Sequence, residues 1–305
     1  MNPTATDHIQ NFPEPQYKNC ALRPQLLSCL LSIASLLSLS RAEAFDQSHR
    51  AFTSELRKYV QTNGVQYGKW KNKRQGLDKY LSSLCELSED EYKKFSKLEK
   101  RALWINAYNA LAIRLVIDNY PIKGVRPDYP ASSIRQIPNA WEAAHAKIAG
   151  REVSLYTIAH DLLRKSRDCR AHFAMVPASR SAPELRARAF QAKDIEKELD
   201  KITKDYLSKP ENLRYDPDSQ TLTVSQIFKW FPLDFIKSVD GKIPMPPPRD
   251  DEVVKNYVQD FLPESSRAKM SDKEIKINYS PYDWSLNDAA APKTAEIIDS
   301  DTLLQ

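Results

Sequence analysis

The chain has 305 residues, 41% of them hydrophobic, enough to fill the core of one large domain. Its net charge of +5 comes from a mixed 28% of charged residues, which argues against a basic stripe for nucleic acid. With 6 glycines against 20 prolines and neither G-x-G-x-x-G nor G-x-x-x-x-G-K, nucleotide binding has no motif behind it.

Residues 26–39, LLSCLLSIASLLSL, are uncharged and follow Lys18 and Arg23; Ala42-Glu43-Ala44 then places small residues where a signal peptidase reads them. This predicts a secretory signal segment over 1–44, cleaved after Ala44, and a secreted or periplasmic protein. The run is short for a bilayer span, so no stable span is expected after cleavage; a retained N-terminal membrane anchor is the alternative. A lipoprotein box is excluded because the apolar run follows Cys29 instead of preceding it. Of the remaining cysteines, Cys85 and Cys169 either pair in an oxidising compartment or stay as buried thiols, and without a Cys-x-x-Cys spacing they form no metal cage.

Phe45, Phe52, Leu56 and Tyr59 recur at helical spacing, which predicts a helix ending before Asn63-Gly64. GVQYGKW reads as a short extended segment, and residues 75–87 as a second helix with Leu77, Tyr80, Leu81 and Leu84 on one face. Ser88 with Glu91 makes a capping box, predicting one long helix from there to Pro121, amphipathic at first and apolar nearly all round in its second half. Residues 121–140 are a proline-punctuated loop, and 141–147 a helical turn. KIAGREVSL is a hairpin about Gly150, and Ser154 caps a helix through LYTIAHDLLRKS. AHFAMV, 171–176, reads as an apolar strand and APELRARAF as a short helix. AKDIEKELDKITKDYLSK is an amphipathic helix laced with i, i+4 ion pairs. LRYDPDSQTLTVS is two strands about an Asp-Pro-Asp-Ser turn. Helical turns as far as Phe231, a linker at GKIPMPPPRDD, a helix over 251–262 and a strand in KEIKINY complete the domain, and the tail 291–305 reads as disordered.

Helices followed by scattered strands, without βαβ alternation, predict one α+β domain over 45–290: N-terminal helices, and one long buried helix packed on a small mixed or antiparallel sheet. Five stretches carry a resemblance: WINAYNALAIRLVIDNYP (104–121), IAGREVSLYTIAHDLLR (148–164), RAHFAMVPASRSAPEL (170–185), LTVSQIFKWFPLDF (222–235) and YDWSLN (282–287). In order and spacing they resemble the domain of unknown function 547 family, whose bacterial members look like exported proteins. Where members typically carry two cysteines after His-Phe-Ala, this chain has Pro177 and Ala182. The resemblance therefore implies either that those thiols are structural in relatives, or that this chain is a degenerate enzyme.

The candidate chemistry centres on His172, at the end of the expected strand and before Ser179. A histidine there has the parts of a general base, with Asn106 or Asn109 to orient it. Asn106 and Asn109 share a face of the most apolar helix and must find partners, either a ligand or histidine, or loop carbonyls. His160, His172 and Asp283 could supply a divalent-metal site, but no ligand spacing supports one, so neither metal nor cofactor is expected. Trp141 and Trp284, with His160 and Asp283, are the candidate ligand-binding residues; Trp104, Trp230 and Phe231 join the indoles as groove or core. Two functions follow. The first is an exported binding or assembly module for a peptide, glycan or envelope component. The second is a hydrolase or acyl-transferase of papain- or transglutaminase-like layout, with His172 as base and Ser179 in place of the absent thiol.

Overall fold

Phe52, Leu56 and Tyr59 lie buried along one face of α1 (Arg50–Tyr59) in the computed structural model of the chain, which describes residues 44–236, 245–270 and 275–290. The signal segment expected over 1–44 lies, but for Ala44, outside the described residues, as do the whole tail expected over 291–305 and the first part, 241–244, of the expected linker. A tight hairpin follows, β1 (Val60–Gln61) and β2 (Gly64–Val65). Gly64 sits at φ +133°, and a Cβ there would lie 2.4 Å from the Asn287 carbonyl oxygen, so the turn needs glycine. The extended segment expected next is instead largely α2 (Tyr67–Asn72), whose Tyr67 and Trp70 are three apart and both buried. α3 (Gln75–Glu86) buries Leu77, Tyr80, Leu81 and Leu84 as expected.

The single helix expected from Ser88 to Pro121 is two. Ser88 caps only α4 (Glu89–Lys93). Ser96 and Glu99 then form a complete second capping box: the Ser96 amide donates to Glu99 Oε2 at 2.7 Å, and the Glu99 amide to Ser96 Oγ at 3.2 Å. That box starts α5 (Lys97–Asn119), buried on every side from Ala102 to Ile113. Its apolar girdle fits between α2, α3 and the helical turns near residue 160.

α6 (Ala140–Ala143) leads into β3 (His145–Ile148) and β4 (Arg151–Ser154), the hairpin predicted about Gly150. Ser154 caps α7 (Leu155–Thr157), which continues as a π-helical turn over Ile158–Leu163 and a 3-10 turn over Arg164–Ser166. α8 (Ile195–Leu207) is the amphipathic helix expected there. β5 (Leu213–Asp216) and β6 (Thr221–Val224) pair antiparallel. After α9 (Gln226–Trp230), a 3-10 turn Pro232–Phe235, α10 (Asp250–Val258) and α11 (Glu264–Met270), β7 (Lys276–Tyr279) joins β6 in parallel, opposing Ile277 to Leu222. Small sheets among helices make the architecture α+β. A second apolar cluster, with Phe173, Tyr206, Phe228, Phe235 and Val254, adjoins the three-stranded sheet. Among the described residues no helix is long and apolar enough to cross a membrane.

Two expectations fail in the middle of the chain. His172 is not on a strand: Cys169–Phe173 is a 3-10 turn, started where the Asp168 carboxylate accepts the Arg170 amide. Residues 182–190 are irregular rather than helical. The cause is α5. Asn109 donates Nδ2 to the Ala174 carbonyl and accepts the Val176 amide, each at 2.9 Å. Asn106 does the same for both backbone groups of Phe190, at 2.8 and 2.9 Å. Each carboxamide thus plays the part of a neighbouring strand, satisfying backbone that would otherwise have to join a sheet or helix. No disulfide joins Cys85 and Cys169.

Candidate functional site: an aromatic cavity with an arginine between indoles

The irregular run from 174 to 190, pinned at both ends by α5, receives the C-terminal segment along its edge. Arg180 and Ser181 donate backbone hydrogen bonds to Ser285 and Asp283, and Asn287 donates to Ala178. This docking carries Tyr282 and Trp284 over residues 175–183. Beside them opens a cavity of about 530 Å³, within the range of small-molecule sites. Each of the five stretches singled out in the sequence supplies part of its wall: Tyr108; Tyr156, His160 and Arg164; His172, Met175 and Pro177; Trp230 and Phe231; Tyr282 and Trp284. The proline loop and α6 add Arg126, Arg135 and Trp141.

One wall is aromatic. Trp230 stacks on Trp284 with centroids 5.6 Å apart, Tyr282 lies 4.6 Å from Trp284, and Trp141 meets Trp284 edge-on at 6.1 Å. The Arg135 guanidinium lies over both Trp141 and Trp284, 4.5 Å from each ring centre.

His160, Arg164 and His172 of the lining belong to a polar chain. Asp234 accepts a fork from Arg164, with Nη2 at 2.9 Å from Oδ1, and a hydrogen bond from His172 Nε2 at 2.8 Å. Burial pulls the Asp234 carboxyl upward, but the donors His172 and Arg164 outweigh it and hold the group at about 2. Arg164 Nη1 also donates to His160 Nδ1 at 2.9 Å. Burial first, then the nearby Arg164, lowers the His160 imidazole below the usual histidine range, so Nδ1 remains an acceptor. Phe231 packs against this chain, 4.5 Å from the His172 ring and 5.0 Å from the Arg164 guanidinium. The π-turn places His160 and Arg164 on the cavity side together, and Asp234 follows from the turn after Pro232.

His160, His172, Trp141 and Trp284 thus meet at one cavity. The other candidates stand apart from it. Ser179 is 1% exposed and shares a 2.8 Å hydrogen bond with the Tyr282 hydroxyl, so no His172–Ser179 pair exists. Asn106 and Asn109 spend their amides on backbone and orient no histidine. Asp283 accepts the Ser285 amide at 2.8 Å and does not line the cavity. No cluster of three or more metal-ligating side chains occurs among the described residues. Sequence reasoning missed Arg135, Arg164 and Asp234. His160 and Arg164, four apart in LYTIAHDLLR, were the one available signal, since such a pair shares a helix face.

No curated protein and no solved structure matches the chain. Residues 92–207, from the end of α4 through α8, match the model of a family described as "Protein of unknown function, DUF547". Trp230, Phe231, Asp234, Tyr282 and Trp284 lie beyond that matched segment, so the likeness to the DUF547 family extends over residues 92–207.

Proposed function

We propose that the chain is a binding module that takes a small organic ligand, or one end of a larger one, into this cavity. The observation that supports the reading is the convergence of five separated stretches on a hollow of about 530 Å³ walled by indoles and phenols. Such rings give large apolar contact at little entropic cost, and here they are packed in place before any ligand arrives. Three of the chain's 5 tryptophans line the cavity, so occupancy reports on itself. The neutral probe N-phenylnaphthylamine is expected to bind with energy transfer from the indoles. Trp141→Ala is expected to weaken it severalfold while leaving the melting transition in place, because Trp141 is only partly buried. Failure of the probe to bind, or affinity indifferent to Trp141, counts against the reading. The N-terminal segment supports export of the module; a mature chain beginning at Phe45 outside the cytoplasm is the expected observation.

The Asp234–His172 pair favours a second reading, a hydrolase or acyl-transferase, since a carboxylate-held imidazole is a general base in form. It lacks a partner to activate: Pro177 occupies the cavity wall at a position where the family resemblance implies a thiol, and the Ser179 hydroxyl is buried against Tyr282. A fluorophosphonate probe is therefore expected to leave Ser179 of the folded protein unlabelled. Labelling that disappears in His172→Ala would establish the enzyme reading instead.

A further inference from the structure

We propose that Arg135 anchors a single negative charge on the ligand, so that the cavity selects small apolar acids with one carboxylate-type head group. The inference rests on the cavity being a binding site, and it concerns what that site prefers.

Arg135 is fixed before any ligand is present. It sits in the 3-10 turn Ile134–Gln136, where Ser133 Oγ accepts its amide. The Gln136 side chain holds the preceding loop by accepting the Arg126 amide and donating to the Tyr129 carbonyl. The guanidinium is then flanked by Trp141 and Trp284, with Tyr129 5.6 Å away. Rings satisfy the faces of a guanidinium but none of its N–H groups, which lie in its plane. Among the described residues no carboxylate pairs with Arg135, and its buried Nε has no acceptor. Other partly buried arginines contrast with it: Arg164 has Asp234, Arg170 has Asp168, and Arg186 and Arg188 both have Glu198. Burial, with Arg126 nearby, lowers the proton affinity of Arg135, yet a guanidinium starts so high that the charge persists at neutral pH. A standing cation with unmet donors at the edge of a cavity is what an anion would complete.

The charge balance argues for one negative charge. The charged wall residues are Arg126, Arg135, Arg164 and Glu142. Asp234 answers Arg164, and Glu142 offsets one of the other two arginines, leaving one positive charge with histidines counted neutral. The planar fork suits a carboxylate, while Trp230, Tyr282 and Trp284 suit an apolar or aromatic body behind it.

Two fluorescent probes with one body test the assignment: anilinonaphthalene sulfonate, a monoanion, and N-phenylnaphthylamine, which lacks the sulfonate. In Arg135→Gln the sulfonate probe is expected to lose affinity about tenfold or more, the neutral probe less than about twofold. Arg135→Lys, which keeps the charge without the fork, is expected to recover part of the loss. In the wild-type protein benzoate is expected to displace the sulfonate probe, and benzamide is not. If Arg135→Gln does not fold, this competition decides alone. Equal losses for both probes, or benzamide competing as well as benzoate, would overturn the anionic preference while leaving a binding cavity. If neither probe enters the wild-type protein, the cavity reading itself falls and this one with it.

Discussion

Asn109→Ala is expected to destabilise the protein by about 3–5 kcal/mol, because it strands two buried backbone groups at once, the Ala174 carbonyl and the Val176 amide. Both belong to fully packed residues, so water cannot replace the lost partner. That is a large share of the roughly 5–15 kcal/mol that holds an ordinary domain together. The loss should appear as a lower denaturant midpoint, with the neutral-probe affinity falling only as far as the folded fraction falls. Asn109→Asp separates geometry from size. Its carboxylate can still accept the Val176 amide but opposes the Ala174 carbonyl, and only its protonated form can donate there. Burial and that carbonyl raise the introduced carboxyl's folded-state pKa above its unfolded value of about 3.9. A raised acid costs stability at pH above the unfolded value, increasingly until the folded value is passed. Relative to wild type, Asn109→Asp is therefore expected to be least stable at neutral pH and to recover toward pH 4. A pH-independent difference would mean that the amide is not clamping backbone.

The same clamp marks where the sequence stops being legible. Periodicity found α1, α3 and α8 because each buries one face against a core, and the hairpins showed themselves through Gly150 and the Asp-Pro-Asp-Ser turn. It failed at AHFAMV because an all-apolar run looks alike as a strand and as a buried turn. What decides between them is one amide, that of Asn109, 65 positions from Ala174 and 67 from Val176, and no local pattern encodes that pairing. The long helix was misread for a different reason: two good serine caps, Ser88 and Ser96, follow each other closely, and the better box, with Glu99, sets the start. At the site, the aromatic members were visible as residue types. Arg135 and Asp234 were not, because an arginine in a proline loop and an aspartate after a proline look like ordinary surface until the fold turns them inward.

Asp234→Ala is expected to cost about 2–3 kcal/mol and Asp234→Asn about 1–2 kcal/mol, between the values for exposed and buried ion pairs, since the carboxylate is still 21% exposed. Removing it leaves the Arg164 fork without an acceptor and frees the His172 ring from the carboxylate that fixes it. The wild-type pH profile should show the same group. Its folded pKa, held at about 2 by His172 and Arg164, lies below the unfolded value of about 3.9, so its contribution is complete above about pH 4 and is lost as pH falls toward 2. The stability gap between wild type and Asp234→Asn should accordingly close as pH falls from about 4 toward 2. The imidazole gives a second readout. With the carboxylate present, His172 Nε2 donates to it, and Asp234→Ala removes that acceptor. Ring-nitrogen shifts of His172 measured by NMR should therefore change in Asp234→Ala while those of His49, buried against Tyr80, stay put. Unchanged His172 ring shifts in Asp234→Ala, together with an Asp234→Asn gap that persists at pH 2, would show that Asp234 does not hold the ring, and the polar chain at the cavity would need another explanation.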